Sequence, residues 1–323
     1  MKTCLVGLVL VLAVSVAWGQ SVSVDGGLPD YAKTKGVSGS IKSIGSDTMN
    51  NLMALWSEDF RGMYPSVQVE IEGKGSSTAP PALIGGTSNF GPMSRAMKSK
   101  EQDVFEAEFG YQAVQLRTSI DMLAVFVHKD NPVQGLTLDQ LSAMFAKNPT
   151  GNIRTWGDLG LEGEWANKPI SLYGRNSASG TYGYFKKHAL GKLDYKDSVK
   201  EQAGSSAVIQ GVARDKYAIG YSGIGYRTAD VRAVPLSADG GKKPEFVEAV
   251  AANAYTGDYP LARFLYLTVN YKPGSKLDPM RAEFIKYVFS REGQLNVVKD
   301  GYYPVTATIA REDLQRVGIE PGF

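Results

Sequence analysis

The chain has 323 residues, of which 35 are lysine or arginine and 33 are aspartate or glutamate, so its formal net charge is +2. This balance excludes the broad basic surface of a nucleic-acid-binding protein, and any affinity for anions must come from a local group of residues. The length predicts two domains, and the single cysteine excludes an internal disulfide.

Residues 1–19 have the pattern of a secretory signal peptide. Lys2 precedes an apolar run over residues 5–17, which is shorter than the ~20 residues needed to cross a bilayer. Cys4 precedes this run, whereas a lipid-bearing cysteine would follow it. We therefore expect cleavage near Gly19-Gln20 and a soluble periplasmic protein with no membrane insertion of its own.

Short apolar runs and helical patterns alternate along the rest of the chain. Residues 20–36 form a polar N-terminal arm, which its Gly, Ser and Lys content predicts to be loose. The next predicted elements are a strand over 41–44, a helix over 49–64, a strand over 67–71 and a short helix around Ala82. This β-α-β order predicts an α/β fold with mostly parallel strands.

Two later strands are fully apolar and are predicted near the places where the chain passes between the domains. They span residues 123–127 and 264–269. We place the two crossings at residues 117–121 and 260–264, which makes the first domain discontinuous. The predicted domains are lobe 1, residues 37–117 and 264–323, and lobe 2, residues 118–263.

Three segments combine glycine and hydroxyl residues immediately before a predicted helix. They are Gly45–Thr48, Gly75–Thr78 and Arg175–Thr181. Each alone is more typical of ordinary helix capping, because Ser, Thr and Asp are the preferred N-caps. Together they predict an anion site, because helix N-termini offer free N–H groups and the guanidinium of Arg175 can hold two phosphate oxygens.

These segments, with Asn89–Ser94 and Ala218–Tyr221, resemble in their order the phosphate-binding proteins of the phosphate-specific ABC transporter, the PstS family. The resemblance covers essentially the full mature chain. It implies a type II periplasmic-binding-protein fold, in which two α/β lobes joined by two hinge crossings close a ligand cleft over dehydrated phosphate. It implies inorganic phosphate and a membrane-embedded ABC transporter permease as partners, no cofactor or metal, and we expect a monomer.

The resemblance also implies a set of ligand residues. The family's phosphate contacts fall on Asp47, Thr48, Ser76, Ser94, Arg175, Ser179, Gly180 and Thr181. Further candidates, as ligands or near-ligands, are Ser46, Ser77, Arg95, Asp121 and Ser177. Two positions depart from the best-known members: Ser94 replaces a common acidic ligand, and Ser177 replaces the acidic partner of the binding arginine.

The departure at Ser94 bears on selectivity, because a carboxylate can accept the proton that phosphate retains and sulfate lacks. Two aspartates could restore this acceptor. Asp47 replaces an uncharged residue of the best-known members and is either the proton acceptor or a helix cap. Asp121 is a lone charge in an apolar run, so it lies near the ligand or pairs with a cation such as Arg95 or Arg117.

The sequence contains few residues that could support catalysis. Only two histidines are present, His128 and His188, and no carboxylates cluster at metal-ligand spacing. A serine hydrolase would need a Gly-x-Ser-x-Gly turn, and the sequence has none. The Gly204–Val208 segment also precedes a predicted helix, but we interpret it as a simple helix cap. We predict a binding protein, not an enzyme. The open alternatives are a receptor for arsenate, sulfate or molybdate, a secreted phosphatase on this fold, and surface adhesion.

Overall fold

The computed structural model describes residues 22–241 and 243–323, so the predicted signal peptide lies outside the described residues. The strands are β1 Gly39–Ile44, β2 Val67–Glu72, β3 Gly91–Met93, β4 Val114–His128, β5 Leu136–Thr137, β6 Ser171–Arg175, β7 Lys200–Gln202, β8 Ala218–Gly223, β9 Val231–Ala233, β10 Leu236–Ser237, β11 Ala262–Val269 and β12 Tyr303–Pro304. The α-helices are α1 Asn50–Met63, α2 Ala79–Ile84, α3 Ser99–Phe109, α4 Leu138–Phe145, α5 Gly180–His188, α6 Ser205–Arg214, α7 Ala251–Thr256, α8 Pro279–Val288, α9 Arg291–Lys299 and α10 Ala307–Arg316. Short 3-10 helices span Asp47–Met49, Ser76–Thr78, Trp156–Leu159, Gly163–Trp165 and Ile224–Tyr226.

The elements predicted at the start of lobe 1 are confirmed. Apolar residues at helical spacing bury one face of α1, where Leu52, Trp56 and Phe60 are fully buried. The helix ends before Tyr64, because proline at position 65 disfavours a helical conformation at the residue before it. β1 and β2 pair in parallel on either side of α1, as the β-α-β order requires.

The expectation of mostly parallel strands is wrong, because the large sheet is mixed. Its strand order is β3-β11-β4-β8-β6-β7, and only the pairs β6-β7 and β6-β8 within it are parallel. β4 and β11 run in opposite directions and pair antiparallel, and β8 is also antiparallel to β4. Parallel pairing is therefore a minority within the large sheet, and outside it β1 pairs in parallel with β2 and β5 with β10.

The long strand β4 changes partners along its length. Up to Met122 it pairs with β11, and from Leu123 it pairs with β8. The predicted crossings at 117–121 and 260–264 coincide with paired segments of these strands, and Asp121 stands directly opposite Arg263 in their register. Two antiparallel strands side by side thus carry the chain between the two halves of the sheet.

The N-terminal arm is not loose over residues 22–36. Leu28 is buried, and the hydroxyl of Tyr31 lies 2.7 Å from that of Tyr64. The Asp25 carboxylate accepts a hydrogen bond of 2.9 Å from the backbone N–H of Ala307, the first residue of α10. Composition alone predicted a free segment, but these polar and apolar contacts hold the arm against lobe 1.

Across the described ranges 22–241 and 243–323, no helix combines the length and apolar character needed to cross a membrane. The same residues contain no group of three or more His, Cys, Asp or Glu side chains that could hold a metal ion.

Candidate functional site

Four buried hydroxyls from separate segments meet where the two lobes touch. Thr48 and Thr181 place their Oγ1 atoms 3.0 Å apart, and Thr181 Oγ1 lies 3.4 Å from Ser94 Oγ. Ser94 Oγ is in turn 3.2 Å from Ser76 Oγ. All four side chains are at most 1 % exposed. We call Thr48, Ser76, Ser94 and Thr181 the hydroxyl cluster. It unites predicted ligand positions that are up to 133 residues apart in sequence.

Glycine allows the lobes to approach this closely. A Cβ atom added to Gly180 would lie 2.6 Å from Ser94 Oγ and still closer to Ser76 Oγ. A Cβ atom on Gly75, whose φ of +110° already disfavours other residues, would lie 2.5 Å from the carbonyl oxygen of Ala178. That carbonyl accepts a 3.1 Å hydrogen bond from the Ser77 N–H, so the backbones themselves pair across the cleft.

Arg175 ends β6 beside the cluster and is 1 % exposed. Its Nη1 donates to Ser205 Oγ at 2.6 Å, and its Nη2 donates to the Ala203 carbonyl at 2.9 Å. Within the described part of the chain, its Nε is buried and has no hydrogen-bond partner. Burial lowers the pKa of Arg175, and the charge of Asp47 opposes that shift. A guanidinium remains cationic in such a site, so it presents a free donor.

Asp47 reaches across the cleft. Its Oδ1 lies 3.2 Å from Arg175 Nη1 and accepts a 2.7 Å hydrogen bond from the Ser205 N–H at the start of α6. The expected cap on the helix that follows Asp47 in sequence is absent, and the carboxylate instead caps α6, which is distant in sequence. Asp47 also supplies the acidic partner of Arg175, a position that the family resemblance would have given to Ser177, which is exposed.

Asp121 forms a buried ion pair with Arg263, so the suggested partners Arg95 and Arg117 are wrong. Asp121 Oδ2 accepts from the Arg263 Nε at 2.9 Å and Nη2 at 2.7 Å. Its Oδ1 accepts from the Ile224 N–H at 3.0 Å. Strand register explains the pairing, because the two residues face each other on β4 and β11. Arg95 and Arg117 pair instead with carboxylates near them.

Sequence reasoning missed Arg263. Its Nη2 donates to Thr181 Oγ1 at 3.0 Å, and its Nη1 is buried without a partner among the described residues. Since a guanidinium only donates, the Thr181 oxygen must accept, which leaves the Thr181 hydrogen free to point into the cluster. The signal was present in the sequence, because Arg263 is a charge within the predicted crossing, as Asp121 is.

The remaining candidates lie around the cluster in supporting positions. Ser179 caps α5, and its Oγ accepts from the Thr181 N–H at 3.1 Å. Ser46 is buried, and its N–H donates to the Pro92 carbonyl at 2.8 Å. Arg95 holds Glu101 in a two-point ion pair and donates to Ser77 Oγ at 3.2 Å. Their ligand roles stay predictions.

Two tyrosines and an aspartate behind the cluster were also missed. Tyr302 donates to the Thr48 carbonyl at 2.8 Å, and Tyr226 donates to the Asp47 carbonyl at 2.9 Å. These bonds fix the backbone that carries two candidate ligands. Asp300 lies nearby, and burial, with a contribution from the charge of Asp121, raises its pKa to about 7.

Comparison with known proteins identifies the family. A PBP superfamily domain matches residues 32–292. The chain is 48% identical over 323 residues to the phosphate-binding protein PstS of Pseudomonas aeruginosa, with 99% of each chain covered. This chain belongs to the PstS family of phosphate-binding proteins.

Solved structures of PstS-like proteins share its architecture. One, from Clostridium perfringens, was determined with bound phosphate and is assigned as a phosphate ABC transporter substrate-binding protein. It is 27% identical, has a TM-score of 0.68, and the match covers 82% of this chain and 99% of that one. An ABC-type phosphate transport receptor from Vibrio cholerae, 22% identical with a TM-score of 0.62, matches over 84% and 100% of the two chains and has the same fold. The predicted fold class of two α/β lobes is confirmed.

Proposed function

We propose that the protein binds one inorganic phosphate ion between its lobes and delivers it to an ABC transporter for import. The observation that carries the proposal is the hydroxyl cluster, in which buried donors from both lobes meet beside the buried guanidinium of Arg175. The names of its relatives support the same ligand and describe binding proteins. The protein acts as a receptor and not as an enzyme.

The donor chemistry fits a small oxyanion. Each hydroxyl of the cluster is hydrogen-bonded to another hydroxyl of the cluster. An anion placed among them would accept those hydrogens instead. Hydrogen bonds to a charged acceptor contribute about 1.5–3 kcal/mol each, roughly twice a neutral bond. Because donors come from both lobes, the anion would bind the closed arrangement better than the open one and shift the population towards it.

Asp47 is the better proton acceptor of the two aspartates. Both oxygens of Asp121 already accept hydrogen bonds, two of them from Arg263. Asp47 accepts through Oδ1 from the Ser205 N–H, whereas no hydrogen bond to its Oδ2 is present within residues 22–241 and 243–323. We therefore assign discrimination between protonated phosphate and sulfate to Asp47.

We further propose that the mature protein begins near Gln20, works as a monomer in the periplasm and docks on the transporter permease. The signal-peptide pattern of residues 1–19 supports export. Mass spectrometry of the exported protein would give its N-terminus, and light scattering would give its oligomeric state.

Isothermal titration calorimetry with phosphate, arsenate and sulfate tests the proposed function. We expect phosphate to bind and Arg175→Ala to weaken it on the order of 100-fold, because a desolvated charge partner is lost. Arg61→Ala, at an exposed position on α1, is the control and should leave the affinity unchanged. No heat of phosphate binding in the wild-type protein would contradict the proposal.

A further inference from the structure

A cavity of about 1060 Å³ opens between the lobes next to the hydroxyl cluster. Its wall draws residues from both lobes and from β11, and the described residues that form it include no aspartate or glutamate. Six of its side chains are lysine or arginine: Arg95, Lys98, Lys186, Lys187, Lys192 and Arg263. In a chain with a formal net charge of only +2, this is a marked local excess of positive charge.

Half of these cations are neutralised by carboxylates outside the wall. Salt bridges join Arg95 to Glu101, Lys186 to Asp194 and Arg263 to Asp121. Lys98, Lys187 and Lys192 have no carboxylate within 4.0 Å in the described ranges of the chain. The cavity therefore carries about three uncompensated positive charges, supplied by both lobes.

The cavity shares its inner wall with the proposed phosphate site. Arg263 lines it and donates through Nη2 to Thr181 of the hydroxyl cluster. Its Nη1 is buried and has no partner among the residues described. Ser179, which caps α5 immediately before Gly180 and Thr181, also lines the cavity. The wall of the cavity thus includes Arg263, which donates directly to the cluster, and Ser179, whose Oγ accepts from the Thr181 N–H.

We propose that this cavity is an anion vestibule, a second and weaker site where inorganic phosphate collects before it moves into the hydroxyl cluster. The proposal rests on the proposed function. A concave, single-sign surface with low-dielectric walls focuses the electric field and raises the local concentration of ligands of opposite charge. Its main effect is on the association rate, since the vestibule lysines make no contact with the buried cluster.

The test compares two triple variants with the same loss of charge. Lys98→Gln, Lys187→Gln and Lys192→Gln together remove the uncompensated charges of the vestibule. Lys35→Gln, Lys272→Gln and Lys276→Gln together remove three exposed lysines that do not line the cavity. Glutamine retains length and polarity, so both proteins should fold, which circular dichroism checks.

The association rate is obtained from the Kd by calorimetry and the dissociation rate by exchange of radiolabelled phosphate. In the vestibule variant we expect association to be roughly tenfold slower at about 10 mM ionic strength, with dissociation unchanged. The difference should vanish at about 0.5 M salt, where charges are screened beyond a few ångströms. The control variant should match the wild-type protein.

Equal association rates in the vestibule variant and the wild-type protein would overturn the proposal. An equal loss in both triple variants would also overturn it, because overall charge would then be responsible. Failure of the wild-type protein to bind phosphate would instead refute the proposed function, and the two failures are therefore distinguishable.

Discussion

Asp47 shows how one residue can serve both lobes. Its carboxylate caps α6 through the Ser205 N–H and lies 3.2 Å from Arg175, although Asp47 itself belongs to lobe 1. These contacts join segments on the two sides of the cleft. We propose that the charge of Asp47 favours closure and orients the guanidinium of Arg175, while its second oxygen remains available to a protonated ligand.

Asp47→Asn should reduce selectivity for phosphate. We expect the ratio of phosphate to sulfate affinity to fall roughly tenfold or more, because an amide carries no charge to repel sulfate. Asp121→Asn is the comparison, and it should reduce stability by about 3 kcal/mol through its broken pair with Arg263 while the ratio is kept. Calorimetry with both anions measures the ratio. An unchanged ratio in Asp47→Asn, or a reduced one only in Asp121→Asn, would refute the assignment.

At the scale of elements, the start of α5 governs how closely the lobes approach. Gly180 is the first residue of this helix and faces Ser76 and Ser94 of lobe 1 with no room for a methyl group. Gly183, one turn later, would bring a Cβ no closer than 3.8 Å to Arg95, which is an ordinary contact. Substitution of each glycine by alanine thus distinguishes an effect on closure of the lobes from an effect on the stability of α5.

The Gly180→Ala variant should fold normally, but its two lobes should close less completely. We expect its phosphate affinity to fall on the order of 100-fold, because the added methyl group keeps the donors of the two lobes apart. Gly183→Ala should bind phosphate like the wild-type protein, since alanine is favourable inside a helix. Calorimetry gives the affinities, and small-angle X-ray scattering follows closure. Wild-type affinity in Gly180→Ala would show that the cluster does not hold the ligand.

Asp300, which follows the last residue of α9, makes a pH-dependent contribution to the free energy of unfolding. Asp300 has a buried Oδ2 without a hydrogen-bond partner among the described residues, and its pKa is raised to about 7. Because this pKa exceeds the ordinary value of 3.8, the folded state binds more protons than the unfolded state between these two values. Stability from this group is therefore lost as the pH rises from about 4 to 7.

Asp300→Asn should remove that loss. We expect the variant to be more stable than the wild-type protein by on the order of 2 kcal/mol at pH 7.5, and the difference to shrink towards zero near pH 4. Urea unfolding at both pH values measures it, with the exposed Asp103→Asn as control. A difference that grows on acidification would have the wrong sign.

At the scale of the whole molecule, the sequence predicted the features that depend on residues close together in the chain. The apolar face of α1, the apolar strands at the crossings and the turns of glycine and hydroxyl residues are all visible in short stretches of sequence. The pairing of Asp121 with Arg263 depends on strand register, and the contact of Asp47 with Ser205 spans 158 residues. A charge in a predicted crossing marks Asp121 and Arg263 as candidates, but no local signal shows which residue either one pairs with. The mixed sheet escaped prediction for the same reason, since strand direction follows from the path of the whole chain.

A crystal structure of the mature protein with phosphate tests the central claim most directly. We predict one phosphate whose oxygens lie about 2.6–3.2 Å from the hydroxyls of Ser76, Ser94 and Thr181 and from the Arg175 guanidinium. A phosphate bound elsewhere, with these hydroxyls still bonded only to one another, would contradict the account.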